Sequence, residues 1–143
     1  MDNDLRSSIE AACTRLLVQY ARGIDLYDAD MVLGVFTEDA TWQRPGNPLL
    51  EGREEIRSFL VGRDRTVLTR HVMTNLLLDS VDADHATGVS YYTGYNADGY
   101  GDIGTAPTRA PFSMGEYLDR FRRTDIGWRI AHRETRHVFH GSD

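Results

Sequence analysis

Residues 20–30, YARGIDLYDAD, place two phenols and three carboxylates close together, and HVMTN, from residue 71, adds an imidazole. A carboxylate beside a histidine makes an oriented base, and a phenol nearby can donate to developing negative charge. The three aspartates do not have equal claims on such chemistry. Asp28 follows one helical pattern and precedes the next, ADMVLGVF, where a side-chain oxygen caps free backbone N–H groups. Asp30 falls in the first turn of that second helix, where the dipole favours negative charge. Asp25 lies in the last turn of the first helix, at the negative end of the dipole, where an anion costs about 0.3–1 kcal/mol. It needs a donor or a cation to stay there, and His71 is the candidate partner. Tyr20 stands five residues before Asp25.

Several other patterns lose on physical grounds. GYGDIG at Gly99, Gly101 and Gly104 spells a dinucleotide-binding fingerprint, but TAPTRAP follows, and its prolines forbid the helix that would meet a pyrophosphate. The segment is expected to be a flexible loop over 96–111, and whether it serves as a lid is left open by the sequence. His132 and His137 are five apart on an expected strand and so face opposite sides, which argues against a shared metal. No cofactor is expected. The arginines over 120–123 and 129–136 alternate with Phe121, Trp128 and Ile130 and are read as a solvated strand face.

The elements that must position these residues follow from periodicity. Apolar residues at Ile9, Ala12, Cys13, Leu16, Leu17, Tyr20 and Ile24 mark one face of a first helix, with Ser7 and Glu10 as a capping box at its start. A short second helix turns Met31, Val32, Val35 and Phe36 inward. EDATWQR reads as a strand, and EGREEIRSFLVG as a third helix closed by Gly62. Four long strands are expected over 67–80, 85–97, 111–124 and 127–139, with tight connections at Asp84 and Gly127. Alternation in the first puts Thr69, His71, Met73, Asn75 and Leu77 on one face, and Leu68, Val72, Leu76 and Leu78 on the other. Helices first and long strands afterwards predict an α+β fold, a strongly curved, mostly antiparallel sheet over a helical layer.

The chain has 143 residues, 41% apolar and 27% charged, a composition suited to one soluble domain over 1–143. The net charge of −6 excludes the basic face of a nucleic-acid binder. No stretch is apolar enough for a membrane span, the N-terminus has acids where a signal peptide needs basic residues, and one cysteine allows no internal disulfide. A cytoplasmic protein is expected.

QYARGIDLYDADMVLGVFTEDATW, GREEIRSFL, RHVMTNLLLDSVDADHATGVSYY and YLDRFRRTDIGWRIAHRE together resemble the SnoaL-like branch of the nuclear-transport-factor-2-like superfamily, over about residues 8–139. The resemblance extends to scytalone dehydratase, bile-acid 7α-dehydratase and γ-hexachlorocyclohexane dehydrochlorinase. It implies a cone-shaped α+β barrel with a pocket at its wide end, and a catalytic Asp25–His71 dyad assisted by Tyr20. Two departures are visible. Gln43 and Arg44 stand where ketosteroid isomerases of this fold carry a catalytic acid, and Tyr20 replaces a basic residue of the dehydrochlorinase. The resulting expectation is a cofactor-independent lyase or isomerase, preferably a dehydratase, acting on a hydrophobic cyclic small molecule. Trp42, Met73, Tyr91, Tyr95, Phe112, Met114, His132 and Phe139 are the candidate pocket wall. The alternative is a non-catalytic binding or structural module of the same fold, such as an oxygenase small subunit, favoured if the pocket is filled by its own aromatics. A homodimer or homotrimer is expected, because the exposed sheet face is otherwise a large apolar patch.

Overall fold

A computed structural model describes residues 1–141. Helix α1 (Asn3–Asp25) is followed by α2 (Ala29–Leu33), strands β1 (Phe36–Gln43) and β2 (Leu50–Glu51), and helix α3 (Gly52–Val61). Strands β3 (Leu68–Val81), β4 (His85–Ala97), β5 (Ser113–Thr124) and β6 (Gly127–His140) complete the chain. The six strands form one sheet in the order β2-β1-β6-β5-β4-β3, antiparallel except for the parallel β1–β6 pair. This is the expected α+β architecture: a curved sheet wrapped around a long N-terminal helix. No helix among the described residues is long and apolar enough to cross a membrane.

The apolar stripe of α1, from Ile9 through Cys13, Leu16, Leu17 and Tyr20 to Ile24, is buried against the sheet. Its start differs from the expected capping box. Asp2 is the N-cap, its Oδ1 accepting from the backbone N–H of Asp4 (2.7 Å) and Leu5 (3.3 Å), and Ser7 lies inside the helix. A carboxylate cap outcompetes a hydroxyl one turn later because it also meets the positive end of the dipole. At the other end Gly23 allows α2 to approach closely: a Cβ there would lie 2.6 Å from Val32 Cγ2. Asp28 caps α2 as expected, accepting from Met31 N–H at 3.0 Å. Asp30 follows in its first turn, exposed and paired with Arg57. Val35 and Phe36 are buried but lie beyond α2, Phe36 opening β1.

Several register shifts break the simple alternation, and two of them bear on the candidate site residues. On β3, Asn75 adopts a left-handed conformation (φ 58°), and the pairing with β4 jumps from Thr74–Tyr91 to Leu77–Val89. Two residues of β3 therefore oppose one of β4, and the faces exchange. His71 and Met73 share the inner side with Leu76 and Leu78, whereas Leu77, expected inside, is 71% exposed. On β6, Ala131 has no partner on β5, the pairing passing from Phe121–Ile130 to Arg120–His132. Ile130 and Arg133 are therefore both fully buried, and Arg133 is not part of a solvated face.

Gly99 and Gly104, in the loop between β4 and β5, take positive φ, and no helix follows them. The loop is docked by Gly101 N–H on Thr66 O (2.8 Å), where a Cβ would meet Arg65 O at 2.1 Å.

Candidate active site

The end of α1 delivers Asp25 to the start of β3. Its carboxylate accepts three hydrogen bonds: from His71 Nδ1 (2.6 Å), the backbone N–H of His71 (2.8 Å) and Thr69 Oγ1 (3.0 Å). The side chain is 8% exposed, so these donors compensate both its desolvation and the unfavourable helix terminus. Because an ionised carboxylate only accepts, the proton of this contact sits on His71 Nδ1. Neutral His71 then carries its lone pair on Nε2, the nitrogen turned from Asp25.

His71 lies between two spaces. On one side is a surface groove of about 370 Å³ lined by Val18, Ala21, Arg22, Asp25, Arg70 and Met73. On the other is a cavity of about 270 Å³ between the helices and the concave sheet face. Tyr20, Trp42, Tyr92 and Tyr117 line that cavity with Thr135 and His137, and Arg44, Phe59 and Arg63 line it as well. Trp42 Nε1 donates to Thr135 Oγ1 (3.0 Å), and the Tyr92 hydroxyl pairs with His137 Nδ1 (2.9 Å).

Tyr20 is buried, its ring edge-on to Phe36, Trp42 and Tyr117, and its hydroxyl is 3.3 Å from the Tyr117 hydroxyl. Burial raises the Tyr20 phenol above its ordinary value, against the opposing charge of Arg133. Burial raises Tyr117 well above that value too, and pushes Tyr92 to about 12. All three remain neutral donors near pH 7. Beneath them, the Arg133 guanidinium makes a bidentate pair with Asp119 (2.8 and 2.8 Å) and lies over the rings of Tyr20 (4.2 Å) and Tyr117 (3.9 Å). Its buried Nη1 has no hydrogen-bond partner among the described residues.

Asp25 and His71 thus meet, and His71, Tyr20 and Trp42 line the same cavity. Met73 lines the groove on the far side of the Asp25–His71 contact instead. The other candidate wall residues lie elsewhere, and for those on β4 and β5 the cause is the curvature of the sheet. The concave side of so curved a sheet has little room, so it takes Gly88, Ser90, Gly94 and Gly115, with Tyr92 and Tyr117 between them. A Cβ at Gly115 would meet Arg136 O at 2.2 Å and the Tyr92 hydroxyl at 2.5 Å. The outer parity therefore holds Tyr91 and Met114, and Phe139 pairs with Met114. Tyr95 faces the 106–109 segment across a separate cleft of about 220 Å³, and Phe112 is exposed at the end of the loop. Residues 98–112 contribute nothing to the wall of the cavity beside His71.

The bulge at Ala131 turns His132 outward, where its Nδ1 meets Thr41 Oγ1 at 2.5 Å and it lines an outer groove with Asp79 and Glu134. Burial, then Arg120, depresses its pKa below the ordinary 6.5. The unfolded chain binds this proton more readily, so His132 favours folding above pH 6.5, and that contribution is lost as pH falls through and below this value. In urea titrations at pH 7.5, 6.0 and 5.0, His132→Gln is expected to lose less stability toward acid than the wild type.

Missed by sequence reasoning were Tyr92, Tyr117, Thr135, His137 and the Asp119–Arg133 pair. The even-numbered glycines and serine of β4 were the available signal, because small residues mark the crowded side of a curved sheet.

The curved sheet closed over a helix, with an acid–histidine pair beside an open cavity against its concave face, defines a cone-shaped α+β protein. The SnoaL-like domain family matches residues 6–134, and the chain belongs to that family. Rv3472 of Mycobacterium tuberculosis, a protein of unknown function solved as an aspartate-to-asparagine variant, is 33% identical (TM-score 0.80). The match covers 96% of this chain and 76% of that one. A hexachlorocyclohexane dehydrochlorinase, LinA type 3, from Novosphingobium barchaimii is 20% identical (TM-score 0.81; 98% and 93% covered). A candidate scytalone dehydratase from Novosphingobium aromaticivorans is also 20% identical (TM-score 0.82; 99% and 92% covered). These last two likenesses are of fold. No curated protein matches the sequence significantly.

Proposed function

We propose that the protein is a cofactor-independent lyase, preferably a dehydratase, acting on a cyclic, largely apolar small molecule. The observation that carries this reading is the 2.6 Å contact of Asp25 with His71 Nδ1, which leaves Nε2 of a cavity-lining histidine as the available base. Two proteins of the same fold bear names that denote eliminations, a dehydrochlorinase and a candidate dehydratase.

In the proposed reaction His71 Nε2 removes a proton from the carbon next to a substrate carbonyl, and the electron pair moves into the carbonyl as an enolate. Tyr20, backed by Tyr117 and the Arg133 charge, donates to that oxygen. Collapse of the enolate breaks the C–O bond on the neighbouring carbon. The imidazolium returns its proton to the departing hydroxide, so water and a conjugated enone leave and the base is regenerated. Asp25 holds the ring and stabilises the imidazolium between the two transfers.

The test is a panel of cyclic β-hydroxy ketones, with enone formation followed by ultraviolet absorbance. Turnover is expected for at least one ring size, and Tyr20→Phe is expected to lower kcat by about 10²–10³ with the fold intact, the loss typical of one oxyanion donor. Absence of turnover across the panel favours the second reading, a non-catalytic binding module. That reading draws on the five aromatic side chains, Tyr20, Trp42, Phe59, Tyr92 and Tyr117, that crowd the cavity.

A further inference from the structure

The charges around the cavity are one-sided. Arg44 and Arg63 line it and, among the described residues, no aspartate or glutamate does. This is unexpected in a chain with 22 acidic residues and a net charge of −6. Six of the other fourteen arginines, Arg6, Arg57, Arg122, Arg123, Arg133 and Arg136, pair with a carboxylate. Among the described residues Arg44 and Arg63 have none.

The two are nonetheless held in place. The Arg44 guanidinium lies 3.8 Å over the Phe59 ring and 5.9 Å from that of Trp42, and its buried Nε has no hydrogen-bond partner among the described residues. Arg63 donates from Nη1 to Ile24 O (2.7 Å) and lies 4.5 Å over Tyr27, its charge unneutralised. Burial makes the Arg44 cation harder to sustain. Taking a guanidinium partly out of water is costly unless an anion meets it, and stacking on aromatic faces fixes its planar fork while leaving its N–H edge to be filled. A carboxylate is the ligand group that matches that edge with two parallel hydrogen bonds. The field reaches the reacting end as well: Arg63 acts on Tyr20.

We infer that the ligand of this cavity is a cyclic carboxylate, its anionic group held by Arg44 and Arg63 and its apolar ring lying past Trp42 toward His71. The inference rests on reading this cavity as the substrate site. It narrows the substrate from any apolar ring compound to an amphiphilic acid whose charge is placed away from the base.

Isothermal titration with 2-naphthoate and its neutral isostere 2-naphthamide tests this without any turnover. The wild type is expected to bind the acid at least about 10-fold more tightly than the amide, the lower end for a hydrogen bond to a charged group. Arg44→Gln is expected to remove most of that preference and Arg63→Gln part of it, both variants keeping wild-type circular dichroism. His71→Gln should retain the preference, since it removes the base and not the anion site. Equal affinity for acid and amide, a preference untouched by both arginine variants, or no binding of either compound overturns the inference. Tighter binding of 2-naphthyl phosphate than of 2-naphthoate overturns the choice of carboxylate. If the acid preference holds while no hydroxy ketone or hydroxy acid is dehydrated, the lyase reading fails and the anion site stands.

Discussion

His71→Ala is expected to lower kcat on any dehydrated substrate by about 10²–10⁴, the contribution of a positioned general base. Asp25→Asn is expected to be as damaging, by about 10⁴, although it changes one atom. The reason lies in the donors around the carboxylate. The backbone N–H of His71 points at Oδ2, while Thr69 Oγ1 and His71 Nδ1 both point at Oδ1. An amide has only one acceptor atom. With its oxygen on the backbone N–H, its NH2 faces Nδ1, which must then accept, so the ring proton moves to Nε2 and the base is lost. With the amide reversed, its NH2 opposes the backbone N–H and leaves a buried donor unpaired. The ¹⁵N shifts of the His71 ring report this without substrate. The wild type should show a protonated Nδ1 and a bare Nε2, and Asp25→Asn the reverse. The same Nδ1–H tautomer in both proteins would mean that Asp25 does not orient His71.

Asp25 was legible because it broke a local rule. A carboxylate at the C-terminal end of a helix has no local explanation, whereas Asp28 and Asp30 had sufficient ones, and all three occupy the helix positions that periodicity assigned. The strand boundaries were equally readable from β-branched runs and turn residues. The side-chain faces were not. A single extra residue at Asn75 or Ala131 inverts the parity of the residues beyond it as far as the next register shift, and no composition signal marks either bulge. On β4 the error had another origin. Bulky Tyr91 and Tyr95 attract a pocket assignment, yet strong curvature sends bulk to the convex side and leaves glycine and serine within. The charged lining of the cavity stayed hidden for a related reason. Arg44 sits in an irregular segment after β1 and Arg63 follows α3, so neither had a periodic pattern that could aim it inward.

Asp119→Ala is expected to destabilise the fold by about 3–5 kcal/mol, the largest stability effect of any single polar substitution considered. Arg133 and Asp119 are both essentially inaccessible to water, and Asp119 supplies both hydrogen bonds the guanidinium makes. With the carboxylate gone, a full positive charge remains buried with only the faces of Tyr20 and Tyr117 beside it. Burial alone would drive the Arg133 pKa down, and Asp119 is the main force that holds it above the ordinary arginine value. The pair itself is a different matter. Replacing both partners by apolar groups of similar volume, Asp119→Leu with Arg133→Met, is expected to recover most of the loss, since a buried ion pair contributes little net stability over good packing. Urea unfolding of the single and double variants decides this: a double variant as unstable as Asp119→Ala would show that the pair, and not the orphaned charge, holds the fold. The recovered double variant should still turn over poorly, because it lacks the cation beneath Tyr20 and Tyr117. The buried pair then serves the electrostatics of the cavity floor at small net benefit to folding, which is a reason for a charge to be kept where apolar residues would pack as well.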